Sequence, residues 1–337
     1  MGTPSRKLLR FVRRVLGTEH AAQRQQLEHQ RHELGVLKLL LFQTNSLLRY
    51  SLVGEQNVRS SVTYKRCTEI VSLLSPMDVQ DGTYVRVGRD FDGGYVMLDN
   101  FHKENVDAAY SFGINNDVSW DEAVAGRGID VFMFDHTIEG LPKHHPRFHY
   151  FKTGVAGRRK GEQTKTLSEL LADNNHATCN NLLMKMDIEG GEWDVFDETP
   201  SDVIGRFSQI VLELHELSPD TCDRDYLSKV NVLKKINQTH QCVHVHANTY
   251  CLQANARCVQ ADTSFVPVWI GDLVLPPMLE VTYVRRADVK DKLVANTRLF
   301  PTRIDQPTFE GLPDLYLGSF QGPRSEHDSL AAGASNL

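Results

Sequence analysis

From about residue 105 onward, short apolar runs alternate with helix-forming stretches, and this alternation leaves few architectures open. The runs are DAAYSFGI (107–114), IDVFMF (129–134), FHYFKTGVAG (148–157), NLLMKMDI (181–188), QIVLELHEL (209–217) and QCVHVHAN (241–248). Between them lie DVSWDEAVAGRG, closing on Gly126 or Gly128, and TLSELLADN (166–174), with Thr166 as its cap. A helix opening at GGEWDVFDET and YLSKVNVLKKINQ (226–238) complete the set. The runs are apolar throughout instead of alternating with polar residues, so both faces of each strand are expected to be covered. Strands spaced by helices give βαβ units and hence an α/β fold, a mostly parallel, Rossmann-like sheet with helices on both faces. TYVRV (83–87) and YVML (95–98) flank RDFDGG, where Asp92-Gly93 suits a hairpin turn. VPVWIGDLVLP (266–276) and LEVTYVRR (279–286) suggest a last antiparallel pair.

Charge and apolar patterning divide the rest. We read 1–18 as a basic amphipathic leader, 19–58 as a helical extension, 60–298 as the main domain and 299–337 as a Pro/Gly-rich tail, disordered from 322 on. The segment RKLLRFVRRVL (6–16) interleaves cations with apolar residues, as a weak membrane-surface contact or a solvated tail would. Leu27, Leu34, Leu41 and Leu48 recur every seven residues, so residues 19–55 suit a homodimeric coiled coil or a helix packed on the main domain. The first sixty residues carry ten Lys and Arg against four acids, leaving the remainder at a net charge of −12. An acidic main domain argues against nucleic acid as a partner. No run reaches the ~18–20 apolar residues of a membrane span, and no secretory signal is evident, so a cytoplasmic protein, peripheral to a membrane at most, is expected. The six cysteines form no C-x-x-C pair and read as free thiols.

In an open parallel sheet, ligands gather beyond the carboxyl ends of the strands. That rule selects Gly113, Asn115 and Asp117, then Asp135 and His136, then Asp187 and Glu189, then Glu213 and His215. Gly113 and Asp135 stand where a nucleotide fold places a close-approach glycine and a ribose-binding acid. Alternatively they form an ordinary turn and a solvated acid. The loop has one glycine, and Asp117 would repel phosphate, so a ribose ligand without a phosphate is favoured. A cationic sulfonium such as S-adenosylmethionine meets that requirement.

The most specific stretch is LLMKMDIEGGEWDVF (182–196). Its Lys185, Asp187, Glu189, Gly190 and Glu192 match the mark of the FkbM-type family of S-adenosylmethionine-dependent methyltransferases, which the chain resembles over about residues 80–285. With RDFDGGYVML, YSFGINND, FMFDHT and VLELHEL, the chain looks like the subgroup that includes animal methyltransferase-like proteins. The resemblance implies a class I methyltransferase sheet of seven strands and O-methylation, often of sugars in glycans or natural products. It implies that Gly113, Asn115, Asp117, Asp135 and His136 hold the cofactor, with Asp187 near its methyl end.

Methylating a hydroxyl calls for alignment and a proton acceptor. His215 is the first candidate, with Glu213 or Glu216 orienting it. Asp187 and Glu189 are alternatives, and with His215 they are candidate ligands for a divalent cation such as Mg2+. Asp92, His244, His246 and Asn248 are candidates for contacting a sugar, glycan or small-molecule acceptor. Arg89 and Asp90 belong to the same loop as Asp92, which a hairpin turn explains equally well. Two rival functions stand beside this one: a nicotinamide-dependent oxidoreductase, disfavoured by the missing glycine-rich phosphate turn, and a non-catalytic Rossmann-like binding or scaffold protein.

Overall fold

The computed structural model describes residues 52–159, 161–250, 267–310 and 313–322, with Gln30, Leu37, Leu41, Thr44 and Leu48 as single positions. The basic leader, most of the extension and the stretch from 323 on lie outside the described residues, so the membrane-surface, coiled-coil and disorder readings stay untouched. Leu37, Leu41, Leu48 and Leu52 are helical and exposed. Among the described residues, no helix is long and apolar enough to cross a membrane.

The chain opens with α1 (Glu55–Ser60) and α2 (Val62–Leu74), the latter capped by the Ser61 side chain. Strand β1 (Met77–Val79) and the hairpin β2 (Tyr84–Val87) and β3 (Tyr95–Leu98) follow. Then come β4 (Ala108–Phe112), α3 (Ser119–Gly126), β5 (Val131–Phe134) and β6 (Phe148–Phe151). A short pair, β7 (Gly154–Val155) and β8 (Thr164–Lys165), leads to α4 (Leu167–Asp173). Thr166 and Glu169 close α4 with a reciprocal capping box. Next are β9 (Leu182–Met186), α5 (Glu192–Glu198), α6 (Ser201–Ile204), β10 (Phe207–Leu214), α7 (Asp223–Thr239) and β11 (His240–Ala247). The described chain ends with β12 (Val268–Ile270), β13 (Leu273–Leu275), β14 (Leu279–Arg285), α8 (Arg286–Val289) and β15 (Leu293–Ala295).

Seven strands form the main sheet in the order β11-β14-β10-β9-β4-β5-β6. Neighbours from β10 to β6 pair parallel, whereas β14 runs antiparallel to both β10 and β11. The apolar runs therefore pack on both faces, as their composition requires. One face carries an aromatic ladder, with ring centroids of Phe112 and Phe134 5.3 Å apart and of Phe134 and Phe151 5.0 Å apart.

Two expectations about pairing change. The segments 266–276 and 279–286 do not pair with each other. Gly271, at φ 62°, opens a two-residue turn that closes β12 on β13 locally, and β14, buried along nearly its whole length, inserts between β10 and β11. The run 148–157 is likewise not one strand. It breaks after Phe151, and Gly154–Val155 pairs with β8 instead.

The hairpin lies across the sheet and is tied down by side chains. Gln209 of β10 accepts from Leu98 N at 3.1 Å and donates to Leu98 O at 2.8 Å. Residues 297–310 and 313–322 form a strap beside β11, burying Phe300, Leu315, Leu317 and Phe320 and closing on itself through Phe300 N to Gly318 O at 2.8 Å. Hairpin and strap together border the end of the sheet where β4, β9 and β10 terminate.

Candidate active site

The site is built on the junction of β9 and α5. Glu189 and Gly190 take consecutive left-handed conformations, φ 56° and 97°, which reverse the chain within two residues. The turn is held from inside by Glu192, whose Oε2 accepts from Gly190 N at 2.9 Å. On the neighbouring strand tip, Gly113 sits at φ 75°, and a Cβ there would lie 1.6 Å from the carbonyl oxygen of Asp187. Only glycine permits that approach. Lys185 bridges the two tips, donating to Gly113 O at 2.9 Å.

His215, just past β10, is the centre of the cluster. Its backbone N donates to Glu192 Oε1 at 2.7 Å, and its ring Nδ1 lies 3.1 Å from the same oxygen. Trp193 Nε1 donates to the His215 carbonyl at 2.9 Å. Glu192, completely buried, is therefore the residue that orients the ring. The expected orienters behave otherwise: Glu216 is exposed and pairs with Lys229 at 3.7 Å, and Glu213 lies on the opposite side of the imidazole, toward Nε2. Nε2 is faced by Glu189 Oε2 at 3.6 Å, Asp187 Oδ1 at 3.8 Å and Glu213 Oε1 at 3.8 Å. Burial works to lower the pKa of this imidazole, but the hydrogen bond and charge of Glu192, with Asp187 and Glu189 beyond it, raise it above its usual value.

Acids crowd this spot. Burial, then the nearby Asp187 and Glu280, push the Glu213 carboxyl well above the usual range. Burial and Asp187 do the same, less strongly, to Asp92. Asn248 Nδ2 donates to Glu213 Oε1 at 2.6 Å, so Asn248 and Asp92 border the acid cluster from the hairpin and strap side. Glu189 is mostly exposed, and among the described residues Asp187, Glu213 and His215 bring potential ligand atoms within 4.8 Å of one another. Of the candidates named from sequence, Asp187 and His215 belong to this group, and Glu189 Oε2 stands 3.6 Å from the His215 ring.

Asp135 gathers the loop after β4. Its Oδ2 accepts from Ile114 N and Asn115 N, each at 2.9 Å, and its Oδ1 from Thr137 N at 2.8 Å and Thr137 Oγ1 at 2.6 Å. Burial tends to raise this carboxyl, and those donors lower it below its usual value. Asn115 is exposed, at φ 49°, and His136 is exposed beside Gly154. Asp117 accepts from Ser119 N at 3.0 Å and lies 3.4 Å from Arg89 Nε, which joins the RDFDGG loop to the start of α3. Gly113, Asp135 and Asp187 thus converge at one edge, as Gly113 N donates to Phe134 O at 3.3 Å and Asp187 N to Phe112 O at 3.1 Å.

His244 and His246 do not face this edge. His244 Nε2 lies 2.8 Å from Asp305, and His246 is held between Glu280 and Asp314, each at 2.9 Å. Both rings serve the strap: past the irregularity between Cys242 and His244, the side chains of His244 and His246 share one face of β11 and reach Asp305 and Asp314 of the strap. The loop residues follow suit: Gln306 bonds Asp90 at 2.9 Å and Phe91 N at 2.9 Å, and Thr308 O accepts from Asp92 N at 3.1 Å. Glu192, Glu280 and Thr308 were absent from the expected site. Glu192 stood in the quoted motif, and Glu280 is a lone acid within a run that otherwise reads as a strand.

No curated protein matches the chain. Residues 89–240 match the family model described as the methyltransferase FkbM domain, a span that includes the β9–α5 turn, the loop after β4 and His215. Over residues 89–240 the chain is thus similar to the FkbM methyltransferase domain, and its seven-stranded, mostly parallel sheet is consistent with a Rossmann-like methyltransferase fold.

Proposed function

We propose that the chain transfers a methyl group from S-adenosylmethionine to a hydroxyl of a sugar, glycan or small metabolite. The observation that carries this reading is the convergence of Asp187, Glu213 and His215 beside the Gly113 loop. The family implies adenosylmethionine in general, and the residues fit it: the tips offer carboxylates to a cationic sulfonium and no glycine-rich phosphate cradle. Gly113, Asn115, Asp135, His136 and Asp187 would hold it, with Asp117 supporting the loop. When bound, adenosylmethionine supplies a methyl carbon already activated by its positive sulfur.

The protein's part is alignment and handling of the acceptor proton. Alignment supplies on the order of 7–11 kcal/mol of such a barrier. The Asp187–Glu213–His215 cluster receives the hydroxyl and, with the neighbouring Glu189, supplies the acceptor for the proton that this hydroxyl gives up. Glu192 keeps the imidazole turned toward the acceptor. Asp92 and Asn248 are placed to take hydrogen bonds from a polyhydroxylated acceptor. The described cysteines Cys67, Cys179, Cys222 and Cys242 are free thiols, which suits a reducing compartment such as the cytoplasm.

The test has two arms. Calorimetry with adenosylmethionine and with NAD should give binding for the first alone. Transfer of a labelled methyl to a panel of sugars, glycan fragments and hydroxylated metabolites should then yield an ether. NAD binding without adenosylmethionine binding, or label found only on nitrogen or carbon, rejects the reading.

A further inference from the structure

His215 raises a question of charge. Only 6% of the residue is exposed, and its Nδ1 is fixed by Glu192, so Nε2 has a single direction in which to point. In that direction stand oxygens of Asp187, Glu189 and Glu213, at 3.6–3.8 Å. These gaps are too long for hydrogen bonds, and no hydrogen bond of Nε2 is found among the described residues. The unpaired nitrogen of a buried residue therefore faces a set of acceptors across a space of the width that separates ligands around a shared centre.

Three further features suit a metal. A ring nitrogen held by a carboxylate, with the other nitrogen aimed inward, is the usual arrangement of a metal-ligating histidine. The Asn248 amide steadies Glu213 in the same way. Asp187, whose side chain is 28% exposed, gives the spot a route from solvent. Two carboxylate oxygens and one imidazole, without a thiolate, form a donor set for a hard to borderline divalent ion.

We infer that Asp187, Glu213 and His215 bind one divalent cation of the Mg2+ or Mn2+ type, with its remaining positions open to water and to the acceptor hydroxyl. This deepens the proposed reaction and rests on it only for its purpose. A hydroxyl coordinated there gives up its proton more readily, to the Glu189 carboxylate beside the cluster, and its oxygen is held for attack on the methyl carbon. The cation also offsets the mutual repulsion of Asp92, Asp187 and Glu213, for which Lys185 supplies a nearby positive charge within the protein.

The experiment uses the full chain and Mn2+ alone as the probe, following loss of the free-ion signal in electron paramagnetic resonance. The expected result is one Mn2+ per chain, competed by Mg2+, with affinity reduced by about 10- to 100-fold or more in Asp187→Asn and in His215→Gln. Asp187→Asn lies at the open edge and keeps the fold if Glu213→Gln does not; circular dichroism checks each variant. Absence of stoichiometric binding to the wild-type chain overturns the site, as does binding that both variants retain. Adenosylmethionine calorimetry on the same samples separates the two claims: a chain that binds the nucleoside but no Mn2+ loses the cation and keeps the methyltransferase reading, and the converse removes that reading while keeping the site.

Discussion

Glu192 Oε1 accepts from the backbone N of His215 at 2.7 Å and lies 3.1 Å from its ring Nδ1, so one buried carboxylate fixes both the position and the facing of the imidazole. Its other oxygen holds Gly190 N. Glu192→Ala leaves those buried donors without partners. Unfolding in urea should show a loss of about 3–5 kcal/mol, and methyl transfer should fall by roughly 10²-fold or more. A variant with wild-type activity would show that His215 needs no orienting partner.

Gly113 is required by sterics twice over, through its positive φ and through the carbonyl of Asp187. Gly113→Ala should cost at least about 2 kcal/mol of stability, and it should weaken adenosylmethionine binding by prising apart the tips of β4 and β9. Gly140→Ala is the control, since a Cβ there meets nothing within 4 Å. It should stay within about 0.5 kcal/mol of wild type. Equal effects of the two changes would remove the steric argument.

His240, at the start of β11, is fully buried, and its Nε2 lies 2.8 Å from Phe207 O. Burial lowers its pKa from 6.5 to about 4. The unfolded chain therefore binds the extra proton first, and stability rises with pH between these values. This contribution is intact above the unfolded pKa and is lost as pH falls from about 6.5 toward 4, at up to about 1.4 kcal/mol per unit. His240→Gln should flatten that part of the profile in urea titrations at pH 5 and 7. An unchanged slope would assign the acid sensitivity to other groups.

The strap depends on His246. Burial disfavours the charged ring, but Glu280 and Asp314 raise its pKa well above the usual value. Asp314→Asn should cost about 1–3 kcal/mol and speed amide exchange in residues 313–322. In a His246→Gln background the same change should cost much less, which a double-mutant cycle reads directly. Additive losses would mean that the two residues do not act through each other.

Much of the fold was legible because burial on both faces writes itself into local composition. The runs at 107–114, 129–134, 181–188 and 209–217 all contain strands of the main sheet, and Thr166 caps its helix as its sequence suggests. The turn at Glu189–Gly190 was legible for a similar reason, since left-handed backbone favours glycine and the acids lie beside it in sequence. The pairing of 266–276 with 279–286 was misread because a local turn and a long-range partner compete, and periodicity does not rank them.

The sequence by itself determined that strands and helices alternate, and that Asp135, Asp187 and His215 stand at strand ends. Only the tertiary structure decided that Glu192, 23 residues away, orients His215, that Glu213 joins Asp187 opposite the ring, and that His244 and His246 serve the strap. The reason is physical. Local composition reports whether a residue is buried, whereas its partners follow from strand order and register, and these are set by contacts between segments far apart in the chain.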